Sequence, residues 1–141
     1  MQASHLPLRL TTGAFILNSG LSKRKLSSDA AAGLQSMAAN AFPAVRTMRP
    51  ETFGTTLCAT EIALGTVLLT PIVPSVLAGA ALTAFSAGLL TMYWRTPGMH
   101  EPGSIRPTSD GTAVAKDVWM LGIGTALLTE RFAAGSRRHR R

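Results

Sequence analysis

Residues 62–94 read IALGTVLLTPIVPSVLAGAALTAFSAGLLTMYW, and this stretch decides the fold. It carries no charged side chain and is longer than the ~20 residues one helix needs to cross a bilayer core. Pro71 and Pro74 divide it. A proline lacks the amide donor of a helix interior and clashes with the preceding turn, so the pair marks a break. The stretch therefore reads as a helical hairpin with a tight turn over residues 70–74. Counting about 20 residues in each direction from the turn starts the first helix near Glu51 and ends the second near Trp94. Tyr93, Trp94 and Arg95 close the second helix with the aromatic and cationic edge of a membrane interface.

Composition points the same way. Charged residues are 15% of the chain, well below the usual value of about 25% in soluble domains. The net charge of +7 has the wrong layout for a nucleic-acid binder. Its cations cluster at Lys23–Lys25, at Arg46 and Arg49, and at 137–141, flanking apolar runs without interleaved aromatics. Cys58 is the only cysteine, so an internal dithiol is impossible, and His5, His100 and His139 do not form a metal-ligand set.

Two weaker apolar stretches flank the hairpin. Residues 6–22 are interrupted by Arg9 and Asn18, and residues 112–131 by Lys116, Asp117 and Glu130. Neighbouring helices can bury such groups, so both stretches read as spans. The first is a poor signal peptide, because Lys23-Arg24-Lys25 precedes any plausible cleavage site. The expected fold is an all-α integral membrane protein. It is a bundle of four transmembrane helices (about 6–22, 51–70, 74–94 and 112–131) in one domain over residues 1–135, followed by a basic tail at 136–141.

The first loop holds a short amphipathic helix expected at the interface. Asp29 is its expected cap. Leu34, Met37, Ala38, Ala41 and Phe42 make its apolar face, Gln35, Ser36 and Asn40 its polar one, and Pro43 its end. The Pro- and Gly-rich loop 95–111 reads as irregular and solvent-facing. Loop cations on the two sides are nearly balanced, and the arginine-dense tail favours both termini on the cytoplasmic side.

Glu61 is the most informative residue. It lies ten positions from both Glu51 and Pro71, hence near the middle of its span. An acid there costs at least about 2.5 kcal/mol unless paired or neutral. Gly54, Cys58, Glu61 and Gly65 share one helical stripe, and small residues let another helix approach. Glu61 is thus expected to face the bundle. Arg9 from the first span, or Lys116 and Asp117 from the last, are its expected partners. Asn18 and Lys23 complete a polar network or ligand site with them. Gly13, Gly20, Gly54, Gly65 and Gly124 are the expected helix-packing positions. An ion pair that merely fixes helix register would have the same sequence signature. Cys58 reads as a small packing residue.

Taken in order, these segments resemble the DoxX family of small four-span membrane proteins. The similarity lies in Arg9-Leu10, Gly13 and Asn18-Ser19-Gly20-Leu21-Ser22-Lys23, then in Ala31–Pro43. It continues in Glu61 with Gly65 and the leucines that follow, and in Lys116-Asp117 leading to Leu121-Gly122. It covers about residues 8–128. The resemblance implies a four-helix membrane bundle, usually bacterial, among whose relatives are a thiosulfate:quinone oxidoreductase subunit and receptor-assembly factors. Eleven arginines against three lysines, with abundant Ala and Gly, would suit a high-GC bacterium and its plasma membrane.

Three functions follow as expectations. The first is a non-catalytic accessory protein, surrounded by membrane lipids and docked on a protein partner in a larger redox or respiratory complex. The second is an oxidoreductase subunit that binds quinone or lipid near Glu61, with no other cofactor. The third, a transporter, would require a homo-oligomer, because four spans without an inverted repeat are few.

Overall fold

The computed structural model describes residues 5–138, with side chains through Thr129. The side-chain cations of the basic tail therefore lie outside the described residues. Among the described residues every regular element is helical. The chain runs α1 (His5–Ser22), a 3-10 turn (Lys23–Lys25), α2 (Ser28–Ala41), a second 3-10 turn (Pro43–Thr47), α3 (Pro50–Leu69), α4 (Ser75–Arg95), α5 (Thr112–Ala115) and α6 (Val118–Arg138). α3 and α4 are each long and apolar enough to cross a membrane. Only 33% of the most apolar window of α3 and 22% of that of α4 are buried. Their apolar side chains thus point mostly outward, unlike those of a soluble core helix.

The hairpin forms where the prolines demand it. α3 ends at Leu69, Val73 N–H donates to Thr70 O across the turn, and α4 starts directly after Pro74. The last predicted span is not continuous. It is broken between α5 and α6 at Lys116-Asp117, where short-range bonds such as Asp117 N–H to Val114 O replace the α-helical ladder. α6 then runs past the expected boundary at residue 135.

The long helices associate as two pairs, α1 with α3 and α4 with α6. Glycine permits both. A Cβ on Gly65 would sit 2.6 Å from Leu17 N, one on Gly20 2.8 Å from Ile62 N, and one on Gly13 2.9 Å from Leu68 Cβ. No side chain fits there, so the α1 and α3 backbones touch along this seam. The second seam joins Gly79 to Gly124, where a Cβ on Gly79 would meet Gly124 O at 2.8 Å. Gly124 in turn abuts Thr83. Gly13, Gly20, Gly65 and Gly124 thus lie in these seams, together with Gly79 and Thr83, which the sequence reading did not single out. A core of Ile16, Leu64, Leu68, Ala78, Leu82, Met120 and Leu127 lies between the pairs.

α2 follows its expected pattern in part: Ala38 and Ala41 of the expected apolar face are buried and the helix ends before Pro43. Its cap is Ser27, whose hydroxyl accepts from Ala30 N–H, and Asp29 sits exposed in the first turn. Its buried face is Ala31, Gln35, Ala38, Ala39 and Ala41, while Phe42 is half exposed. Gln35, expected outside, donates to Val45 O (2.7 Å) and Met48 O (2.8 Å) and holds the second 3-10 turn against the helix. The small face fits because α2 packs on other helices: a Cβ on Gly54 would lie 3.2 Å from Ala31 Cβ.

The loop between α4 and α5 is irregular, as expected, yet well tied. Thr108 Oγ1 donates to Gly98 O (2.6 Å) and accepts from Gly111 N–H. Tyr93 Oη donates to Ile105 O (3.0 Å), and His100 stacks on Trp94 with ring centroids 5.1 Å apart. His100 is therefore part of a packed loop. Gly98 and Gly103 take the positive φ values of +83° and +72° that turns without a Cβ allow.

Candidate functional site

The register of α1 on α3 determines which charges meet. The helices run antiparallel, with Gly13 beside Leu68, Leu17 beside Gly65 and Gly20 beside Ile62. The end of α1 thus reaches only the middle of α3. Lys23, in the 3-10 turn after α1, meets Glu61 there, with Nζ 2.8 Å from Oε2. The Lys23 ammonium also donates to Ser19 Oγ at 2.7 Å, one helical turn back. Both side chains are largely buried, 20% and 8% exposed. Glu61 does face the bundle, but its cation is Lys23.

Arg9 is placed differently from expectation. The same register carries it past the end of α3. Its Nε donates to Leu68 O (2.8 Å), its Nη2 to Val67 O (2.9 Å) and Thr70 O (2.7 Å), and its Nη1 to Val73 O (2.8 Å). The terminal carbonyls of a helix lack partners within it and carry partial negative charge. Arg9, 2% exposed, supplies both the donors and the cation from another helix. Ser75 joins it, bonded to His5 Nδ1 at 2.9 Å.

Two further expected site residues do not join the network. Asn18 lies exposed on α1, and Lys116 is exposed with no ion pair among the described residues. Asp117 does belong near Glu61. It is half-buried, close enough for the charges of Glu61 and Lys23 to act on it, and it lines the same cavity. Cys58 packs one turn from Glu61 and donates to Gly20 O at 3.1 Å, which accounts for it as a seam residue.

The cavity lies between the two helix pairs and has a volume of about 370 Å³. Its walls are apolar: Phe15, Ile16, Leu34, Phe53, Leu57, Phe85, Leu89, Met92 and Met120. Its polar groups are Ser19, Lys23, Glu61 and Asp117. A mostly apolar chamber with a few convergent polar groups is the usual form of a small-molecule site. A second cleft of about 370 Å³ opens between α1 and α6 and shares Phe15, Ala113, Asp117 and Met120 with the first. Ser19 and Phe15 were not anticipated as site residues. Ser19 was accessible to reasoning, since it stands at i−4 from Lys23 on one helix face.

A shallow groove along the outer face of α3 is lined by Thr52, Thr55, Thr56, Ala59 and Thr60. The hydroxyls of Thr55, Thr56 and Thr60 are bonded to carbonyls of their own helix, so the groove offers little polar chemistry. Among the described residues no group of three or more His, Cys, Asp and Glu side chains is placed to hold a metal. No protein-family model matches this chain, and neither a curated protein nor a solved structure is found to match it.

Proposed function

We propose that this chain is a four-span integral membrane protein of DoxX type, with α1, α3, α4 and α6 crossing the bilayer. Its role is that of an accessory subunit in a larger membrane complex, holding a lipid or quinone between its helix pairs. The observation that carries this reading is the buried Lys23–Glu61 pair in the lining of a mostly apolar cavity. Outward apolar side chains support the membrane setting, among them Phe15 (66% exposed), Leu77 (61%) and Trp119 (71%). The residues that carry the DoxX resemblance support it further, since Gly13, Gly20, Lys23, Glu61 and Asp117 come together around one seam and one cavity. Arg46 and Arg49 are exposed beside α2 and form a basic edge suited to a protein partner on that side.

The test is extraction of the native protein in mild detergent, followed by mass spectrometry of co-purifying proteins, lipids and quinones. A stoichiometric protein partner, released by charge reversal at Arg46 and Arg49 without unfolding, supports the accessory role. A chain recovered alone, with neither partner nor bound small molecule, defeats it.

A further inference from the structure

The hydrogen-bonding inventory of the cavity selects its ligand. Lys23 has three N–H donors and no acceptor. Its ammonium already bonds Glu61 Oε2 at 2.8 Å and Ser19 Oγ at 2.7 Å, which leaves one N–H with only a long contact to Ser19 O at 3.5 Å. The acceptors are less occupied. Glu61 Oε1 and both carboxylate oxygens of Asp117 accept no hydrogen bond among the described residues. With Lys23 paired to Glu61, Asp117 is an acidic group of the chamber with no ion-pair partner of its own among the described residues. The chamber is thus short of donors, rich in acceptors and repels anions.

Its access is lateral. Phe15, Ala113, Asp117 and Met120 line both the inner chamber and the outer cleft between α1 and α6, so these side chains are what separates the two, and α1 and α6 touch little elsewhere. A volume of about 370 Å³ is at the small end for ligand sites. It accommodates a head group and the first part of one chain, with the remainder leaving through the cleft. The geometry points to a single-chain amphiphile whose head group donates hydrogen bonds and is not anionic, held by Asp117 and Glu61. An alcohol, phenol or ammonium head meets this requirement. A hydroquinone donates where a quinone only accepts, so the reduced form is the better fit. This assignment rests on the ligand-holding reading above.

The test uses the purified full chain in an uncharged detergent, with four probes of one chain length: hexadecanol, hexadecylamine, methyl palmitate and palmitate. One-to-one complexes are counted by native mass spectrometry. Hexadecanol and hexadecylamine are expected to bind, with palmitate at least about tenfold weaker, because an anion beside a desolvated carboxylate is strongly disfavoured. Asp117→Asn is expected to remove most of the palmitate deficit. Ala113→Trp, which fills the junction of the two clefts, is expected to abolish binding of all four probes at an unchanged thermal midpoint. Palmitate or methyl palmitate binding as well as hexadecanol overturns the donor-head assignment and leaves the cavity a ligand site. Binding that survives Ala113→Trp in a folded protein puts the probes elsewhere and overturns the assignment of the chamber. No binding by any probe overturns both this inference and the ligand-holding reading.

Discussion

Arg9 and Glu61 are both ionisable groups buried among helices, yet they solve burial differently. Arg9 spreads its charge over three backbone carbonyls at the end of α3 and a fourth, Val73 O, in the turn that follows, using the planar fork that a lysine lacks. Arg9→Lys keeps the charge but can satisfy fewer of those acceptors. It is expected to destabilise by about 2 kcal/mol or more, read as a lowered midpoint of unfolding in detergent. Glu61 instead relies on one partner. Removing only Lys23 (Lys23→Met) or only Glu61 (Glu61→Leu) leaves a buried charge alone and is expected to cost about 3–5 kcal/mol. The double variant is expected to recover most of that loss, because an apolar pair of similar size can replace a buried ion pair. A double-mutant cycle by thermal unfolding measures the coupling, and additive effects would show that the pair contributes nothing to stability. At this scale Glu61 was legible from sequence, because an acid in the middle of an uncharged stretch demands a partner. The partner was not legible, since helix register is a tertiary quantity.

At the scale of the helix, glycine has two opposite meanings. Gly33 lies in α2 with nothing within 4 Å of its missing Cβ. Gly33→Ala is expected to stabilise by about 0.5–1 kcal/mol through helix propensity alone. Gly65 is in contact with the Leu17 backbone, and Gly65→Ala is expected to force α1 off α3 and lower the unfolding midpoint. Paired thermal melts decide this, and the same sign for both variants would refute the seam. The seam on α1 and α3 could be anticipated because Gly13 and Gly20 on α1 and Gly65 on α3 stand at helical spacings, although Gly54, on the same stripe as Gly65, meets α2 instead. The partner seam was only half visible. Gly124 was identified, but Gly79 and Thr83, four apart within the hairpin's second helix, carry the same small-residue signature. On α2 the expected apolar face is only half right: its alanines Ala38 and Ala41 are buried while Phe42 is exposed, because close packing against neighbouring helices favours the smallest side chains. Gln35 is buried there because its amide finds two carbonyls.

At the scale of the molecule, the proposed topology has four crossings and places the ends of the chain on the side of the hairpin turn. A Cys58→Ala background allows single cysteines to report it. Cysteines introduced at Ser27 and at Ser104 are expected to label from one side of the membrane, and one at Ile72 (90% exposed) from the other. Labelling of residues 27 and 72 from the same side would contradict a spanning α3. The stagger of α1 against α3 also has a consequence at this scale. It leaves the first half of α3 to be covered by α2 and sets the Lys23–Glu61 pair where the helix pairs part around the cavity.

By itself the sequence determined the all-helical class, the hairpin at Pro71 and Pro74, the outward apolar surface of α3 and α4, and the need to neutralise Glu61. These are local or compositional matters: a proline breaks a helix wherever it lies, and an uncharged run stays apolar in any fold. Tertiary structure alone decided that Lys23 meets Glu61, that Arg9 caps α3, that Lys116 and Asn18 stay outside, and that a cavity separates two glycine-locked pairs. Each of these depends on the sliding of one helix along another. Gly13, Gly20 and Gly65 set that offset through backbone contacts that have no counterpart in the pattern of a single helix.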